Sequence, residues 1–324
     1  MLNKTCNWLG ALVRATAASA MLLATTVHAM PPADLDAYAQ HVLEAFETPG
    51  MSIAIVERGQ PTVLRSYGVR RMGQPAQVDE NTLFAIGSTS KAFTSAVLAT
   101  LVDEGKLQDA YASSEMTVRD LLVHRSGLGP GAGDLLFYPP PSDRTRAEIV
   151  HSLRYIKPAS SFRSTFAYSN MMYLVAGEVI KAVGGASWEE AVRQRIFAPL
   201  QMTSSTTSSL LPAGANRAWP HSRITTDMRG DGPVVALAAP VDIDIVGPTG
   251  SIQSSTADIA RWLELQLGRG LDPRTNKRVF SEAQAREMWT PQTPMRISEP
   301  KPALAATRPN FSAYGLGFQL RDYK

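Results

Sequence analysis

Cysteine is almost absent from this 324-residue sequence: the only one is Cys6, within the first 29 residues. If those residues are a leader, the remaining chain has no thiol. That excludes a disulfide framework, a cysteine nucleophile and a cysteine-ligated metal. Histidines are few and scattered at His28, His41, His124, His151 and His221, without the His-x-x-x-His or His-x-Glu spacing of zinc sites. No glycine-rich phosphate loop stands out, so neither a metal nor an organic cofactor is implied. An excess of one charge is lacking too. Lysine and arginine number 32 against 29 acids, and Lys4 and Arg14 supply two of the three net positive charges, so no nucleic-acid partner is expected. With 44% hydrophobic and 19% charged residues, disorder, collagen and coiled coil are excluded. A chain of this length can bury roughly three quarters of its unfolded surface, enough for a large core and a recessed site.

An uninterrupted apolar run of about 20 residues, the length of a membrane-spanning helix, is also missing. Instead, a basic beginning leads into the shorter apolar stretch Ala15 to Val27 and then Val27-His28-Ala29, whose small residues suit signal peptidase. Residues 1–29 are expected to be a cleavable export signal, with an uncleaved anchor as the alternative; cleavage would place the mature chain in the periplasm or outside the cell with no membrane span.

Beyond the leader, apolar spacing predicts a helix over 34–46, stopped by Thr48-Pro49-Gly50. An antiparallel hairpin follows, from Met51 to Val56 and from Thr62 to Tyr67, around Arg58-Gly59-Gln60-Pro61. Ser88 to Glu104 is apolar on nearly every face, which predicts a helix buried at the centre. Helices are expected at 118–123, 146–155, 169–183 and 188–197, with few strand signals from 110 to 245. Pro139-Pro140-Pro141 and Thr203 to Ser209 are loops by composition. Two more helices are expected at 258–267 and 282–289, then a proline-rich stretch from 291 to 309 and a strand from Tyr314 to Leu320. Strands at both ends around a helical middle indicate an α/β (α+β) fold: an antiparallel sheet flanked by helices, with an inserted, mostly helical lobe. Residues 30–87 with 246–324 would form the sheet part, and 88–245 the lobe that carries the active site.

Ser88-Thr89-Ser90-Lys91 opens the buried helix. A spacing of three puts the Ser88 hydroxyl and the Lys91 amine on one helical face. Serine needs a nearby base to become a nucleophile, and a desolvated lysine can lose its proton and act as one. A plainer reading makes Ser88 a helix cap and leaves Lys91 exposed. Ser-x-x-Lys also recurs by chance, as Ser298 to Lys301 shows, but that copy sits in a proline-rich loop where no helix aligns the pair. Tyr168-Ser169-Asn170 lies at a loop-to-helix junction. The Tyr168 phenol could relay a proton there, and the Asn170 amide could meet both a substrate and a lysine. Alternatively, Asn170 caps the helix and Tyr168 is a packed aromatic. A Ser/His/acid hydrolase is disfavoured, because Gly50-Met51-Ser52-Ile53-Ala54 lacks the last glycine of the nucleophile elbow.

Taken together, the two motifs resemble the serine β-lactamase-related hydrolases, which include class C β-lactamases, D-alanyl-D-alanine carboxypeptidases and certain esterases. The resemblance extends to Leu121-Leu122-Val123-His124-Arg125-Ser126-Gly127-Leu128, to the stretch from Ile196 to Met202 and to Tyr314-Gly315-Leu316-Gly317-Phe318, and spans roughly residues 31 to 320. It implies that Ser88 is the acylated nucleophile, that Lys91 and Tyr168 share the base and acid work, and that Asn170 helps to hold the substrate. Tyr168, where class A enzymes carry serine, makes the resemblance class C-like, and His124 is expected to have a structural hydrogen-bonding role. The implied activity is that of an exported serine hydrolase forming an acyl-enzyme on an amide, ester, β-lactam or D-Ala-D-Ala-like substrate, with a small molecule or cell-wall peptide as partner. The family's third motif, Lys or His, any residue, then Gly, is not found in this sequence. In relatives its strand supplies one oxyanion-hole N–H, and one such donor is worth about 100- to 1000-fold in rate. The expectation is therefore a C-terminally shortened hydrolase, weakened or inactive, or alternatively a non-catalytic binder of cell-wall peptides or of a partner protein.

Overall fold

The computed structural model describes residues 33–107, 115–223, 232–238 and 240–322, so the expected export signal lies outside the described residues. Helix α1 (Leu35–Phe46) buries Ala39 and Leu43 and ends at Glu47, whose φ of +51° turns the chain out of the helix just before Pro49. Strands β1 (Gly50–Ile55) and β2 (Val63–Gly68) form the expected antiparallel hairpin, in register from Gly50 opposite Gly68 to Ile55 opposite Val63. There follow β3 (Phe84–Ala85), α2 (Ser90–Asp103), α3 (Val118–Leu122), α4 (Arg146–Ser152), α5 (Asn170–Gly184), α6 (Trp188–Val192) and α7 (Ala198–Leu200). The last two are joined through a π-helical turn, Arg193–Phe197, so the helix expected at 188–197 changes hydrogen-bonding pattern midway.

Next come β4 (His221–Arg223), β5 (Val234–Ala236), the short turn α8 (Gly247–Gly250), β6 (Gln253–Ser254) and α9 (Thr256–Leu267). They are followed by β7 (Leu271–Asp272), β8 (Lys277–Arg278), α10 (Glu282–Met288), β9 (Thr293–Pro294), β10 (Ser312–Tyr314) and β11 (Gln319–Arg321). Every pairing between these strands is antiparallel, and they form five small sheets, the largest with the order β11-β10-β9.

Two expectations change. The pair β4 and β5 lies in the stretch read as poor in strands, because three-residue strands are too short to show alternation. Tyr314 to Leu320 is a hairpin rather than one strand. Gly315 donates its N–H to Phe318 O at 2.8 Å, and Gly317, at φ +86°, reverses the chain. A Cβ on Gly317 would come within 2.9 Å of both Lys91 O and Ala92 Cα, so this turn lies directly on the first turn of α2.

Helix α2 is the axis of the core. Every residue from Ser90 to Leu101 is buried, as a helix with no polar face demands. Phe93 stacks on Trp262 of α9 with ring centroids 4.1 Å apart and meets Phe197 edge-on at 6.0 Å. Where α2 carries Thr94, the hydroxyl is satisfied twice: it donates to Pro248 O at 2.8 Å and accepts from the Trp188 indole at 2.9 Å. These bonds bring α6 and α8 against α2, just beyond the turn that carries Ser88.

Candidate active site

Ser88 sits in a 3₁₀ turn, Gly87–Thr89, that runs straight into α2. It is exposed, whereas Lys91 is completely buried at 0%. The helical spacing does what it predicts: Lys91 Nζ lies 3.0 Å from Ser88 Oγ. Two further acceptors surround the amine, Asn170 Oδ1 at 3.1 Å and the Thr249 carbonyl at 3.0 Å, so each of the three N–H bonds of an ammonium has a partner. The rings of Tyr168 and Tyr173 stand 4.9 and 5.4 Å away. Burial pushes the Lys91 amine down to about 7, against the opposing attraction of Asp134. Neither plainer reading of this motif fits, since Lys91 is not exposed and Ser88 bonds Tyr168 rather than a backbone N–H.

Tyr168 approaches from the other side, its Oη 2.7 Å from Ser88 Oγ. Burial raises its phenol above the usual range and Asp134 adds to the rise, while the bond to Ser88 works the other way. Asn170 is the first residue of α5. The preceding Ser169 makes no capping bond with its side chain, and the Asn170 amide faces Lys91 instead of capping the helix. The four residues read from the two motifs, Ser88, Lys91, Tyr168 and Asn170, thus form one hydrogen-bonded cluster. The chance copy, Ser298 and Lys301, lies in an exposed irregular stretch.

The corner that presents Tyr168 and Asn170 is held by the segment from Leu121 to Leu128. His124, fully buried, accepts the Ser169 N–H on Nδ1 at 3.0 Å, and its own carbonyl accepts the Ala167 N–H at 2.7 Å. Its ring lies 4.3 Å from that of Tyr168. Burial, with the neighbouring Lys91, drives His124 down to about 3, so it is a neutral strut with its proton on Nε2. Upstream of the corner, Arg163 adopts φ +60° and donates two hydrogen bonds, at 3.0 and 2.7 Å, to the buried carboxylate of Asp120. Burial alone would raise the Asp120 carboxyl; donation from Arg163, Thr117 and Arg125 overcomes it and holds the group well below the carboxylate range.

Two contributors went unread in the sequence. Thr249 acts through its backbone carbonyl, which no residue type advertises. Its neighbour Pro248 packs so tightly that a Cβ on Gly177 would come within 2.5 Å of it; in sequence Pro248-Thr249-Gly250 offers only a tripeptide that lacks the cation of the family's third motif. Asp134, in the loop after Leu128, reaches Asn170 Nδ2 at 3.4 Å. Among the described residues no group of three or more His, Cys, Asp or Glu is placed to hold a metal ion, and no helix is long and apolar enough to cross a membrane.

Known proteins share this arrangement of chain. The most similar solved structures include the D-amino acid amidase from Ochrobactrum anthropi SV3, at a TM-score of 0.70 and 24% identity over 88% of this chain and 79% of that one. Another is the octameric penicillin-binding protein homologue from Pyrococcus abyssi, at 0.68 and 22% identity over 90% of this chain and 65% of that one. The fold is therefore that of the β-lactamases and penicillin-binding proteins. In sequence, an unguisins hydrolase of Aspergillus campestris is 28% identical over 81% of this chain and 51% of its own length. Penicillin-binding protein 4 of Amycolatopsis lactamdurans is 28% identical over 73% of this chain and 64% of its own. The chain thus spans about half the length of that hydrolase. The pattern of the beta-lactamase family matches residues 35–324, nearly everything after the expected leader, and the chain belongs to that family.

Proposed function

We propose that this protein is an exported serine hydrolase that works through an acyl-enzyme on Ser88. The observation that carries the reading is a buried amine 3.0 Å from an exposed serine hydroxyl, with a phenol 2.7 Å away on its other side. With the amine held at about 7, a large share of Lys91 is neutral in ordinary solution and can take the Ser88 proton. The raised phenol of Tyr168 stays protonated, which suits it to donate rather than to start the reaction. The Ser88 oxygen then bonds to the substrate carbonyl carbon, and the negative charge develops on the carbonyl oxygen. The bond to the leaving group breaks as Tyr168 passes it a proton and Lys91 reprotonates the phenol. Water, deprotonated by the same groups, releases the acyl chain and returns the proton to Ser88.

Substrates fall among esters, amides, β-lactams and D-Ala-D-Ala-like peptides, with an ester or peptide preferred over a dedicated lactamase role. Relatives named as an unguisins hydrolase and a penicillin-binding protein support an acyl-transfer substrate of that breadth. Residues 1–29 support export to the periplasm or beyond, which N-terminal sequencing of the mature protein checks by a start near Met30.

Incubation with a fluorophosphonate and with a fluorescent penicillin, followed by peptide mass mapping, tests the chemistry. Label on Ser88 that disappears in Ser88→Ala is the expected result. Label elsewhere, or undiminished label in that variant, defeats the proposal. Ester turnover above background that Lys91→Ala abolishes separates the enzyme from a protein that only binds.

A further inference from the structure

One carboxylate at the site is not used by the steps above. Asn170 Nδ2 donates to Asp134 Oδ2 at 3.4 Å while the other end of the same amide, Oδ1, accepts from Lys91 Nζ at 3.1 Å. The backbone is shaped for this approach. Gly133 has φ +86°, and a Cβ there would come within 2.8 Å of Met171 Cγ and 3.2 Å of Leu153 Cδ2. Only glycine lets the loop lie this close to the first turn of α5. Asp134 then opens a 3₁₀ turn, Asp134–Phe137, fixed by its own N–H to Gly131 O at 3.1 Å and by Leu136 N–H to Gly133 O at 2.9 Å.

The two ends of a primary amide are chemically different: one only accepts and the other only donates. A carboxylate can meet only the donor end, and an ammonium only the acceptor end. Placed between Asp134 and Lys91, Asn170 has a single orientation that satisfies both neighbours. We propose that Asp134 is a positioning residue for acyl transfer at Ser88: it fixes which end of the Asn170 amide meets Lys91, and it supplies the negative charge that Lys91 faces across that amide. The inference rests on the reading of Ser88 as nucleophile and Lys91 as base. Four titratable groups face Lys91: Tyr168, Tyr173, His124 and Asp134. Burial keeps both phenols protonated and the imidazole neutral, which leaves Asp134, among the described residues, as the carboxylate acting on the amine.

Three variants separate orientation from charge. Asp134→Asn removes the charge but can still offer an acceptor to Asn170, Asp134→Ala removes both, and Asp134→Glu keeps both. Two readouts are taken: the pH profile of kcat/KM for an activated ester, and the titration midpoint of the Lys91 side chain by NMR of ¹³C-lysine-labelled protein, assigned with Lys91→Met. Asp134→Asn is expected to lower both the acid limb and the Lys91 midpoint by about half a pH unit to one unit. Asp134→Ala adds a loss in kcat/KM of about ten- to a hundredfold as the amide loses its orientation, and Asp134→Glu restores the profile. Unmoved midpoint and profile in Asp134→Asn and Asp134→Ala, with Ser88 still acylated, overturn this inference and leave the hydrolase reading intact. A lowered midpoint in a protein never acylated at Ser88 overturns the hydrolase reading and keeps the coupling between Asp134 and Lys91.

Discussion

Acylation should titrate with Lys91, and the structure sets both where and by how much. The amine is fully buried, which lowers it from 10.5 to about 7. At pH 7 about half of it is then neutral, whereas an ordinary lysine would be neutral in roughly one molecule in 3,000, so burial raises the population of competent base about a thousandfold. The expected profile of kcat/KM for a p-nitrophenyl ester rises about tenfold per unit below the midpoint, bends near pH 7 and is level by about pH 8. Pre-steady-state acylation at substrate well below saturation shows the same limb, because its second-order rate reports the titration of the free protein. Lys91→Ala removes the limb and lowers the acylation rate by about 100- to 10,000-fold, the usual worth of a positioned base. A wild-type profile flat from about pH 5.5 to 8.5, or a limb that survives in Lys91→Ala, refutes the assignment of Lys91 as the first base.

Further outcomes follow from the same contacts. Tyr168→Phe keeps the ring against His124 but removes the proton donor, so acylation by an amide should fall by about 100-fold or more while an ester with a good leaving group suffers less, as stopped-flow comparison of the two will show. Because Lys91 titrates lower in the folded chain than in the unfolded one, the folded state binds fewer protons between about pH 7 and 10.5, and stability should rise with pH across that window. Urea midpoints of the wild type relative to Lys91→Met should therefore climb with pH, and a constant difference contradicts the burial argument. Asp120→Ala should cost about 3 kcal/mol in urea unfolding and loosen the approach to Tyr168, since it removes a buried acceptor shared by two arginines and Thr117. Gly317→Val combines a β-branched residue at φ +86° with contact against Lys91 O, so a loss of about 2–4 kcal/mol is expected by thermal unfolding.

What could be read from the chain alone was local. A spacing of three on a helix with no polar face puts Ser88 and Lys91 on one side without tertiary information, but it leaves open a capping serine and an exposed lysine until the second motif is set beside it. The corner at Tyr168 and Asn170 was recognisable as a loop-to-helix junction, but its meeting with Ser88, 80 positions earlier, came from two motifs considered together. Thr249 and Asp134 escaped for different reasons. A backbone carbonyl has no residue signature, and an aspartate in a glycine-rich loop looks like any turn former until the loop is seen lying on α5. The hairpin at the end of the described chain reads as one strand in sequence because an apolar tract hides a reversal made by Gly317.

Ser88 stands open to solvent while the Lys91 amine is sealed beneath it, pinned by a main-chain carbonyl and an amide. In the proposed reaction, proton handling falls to the interior, where Lys91 is held by three close partners, and the substrate is met at the outer margin. Leu135 and Tyr138, 82% and 60% exposed beside Asp134, point their side chains to solvent and can vary while the turn that holds Asp134 is kept. Such a division lets one engine be fitted with many entrances.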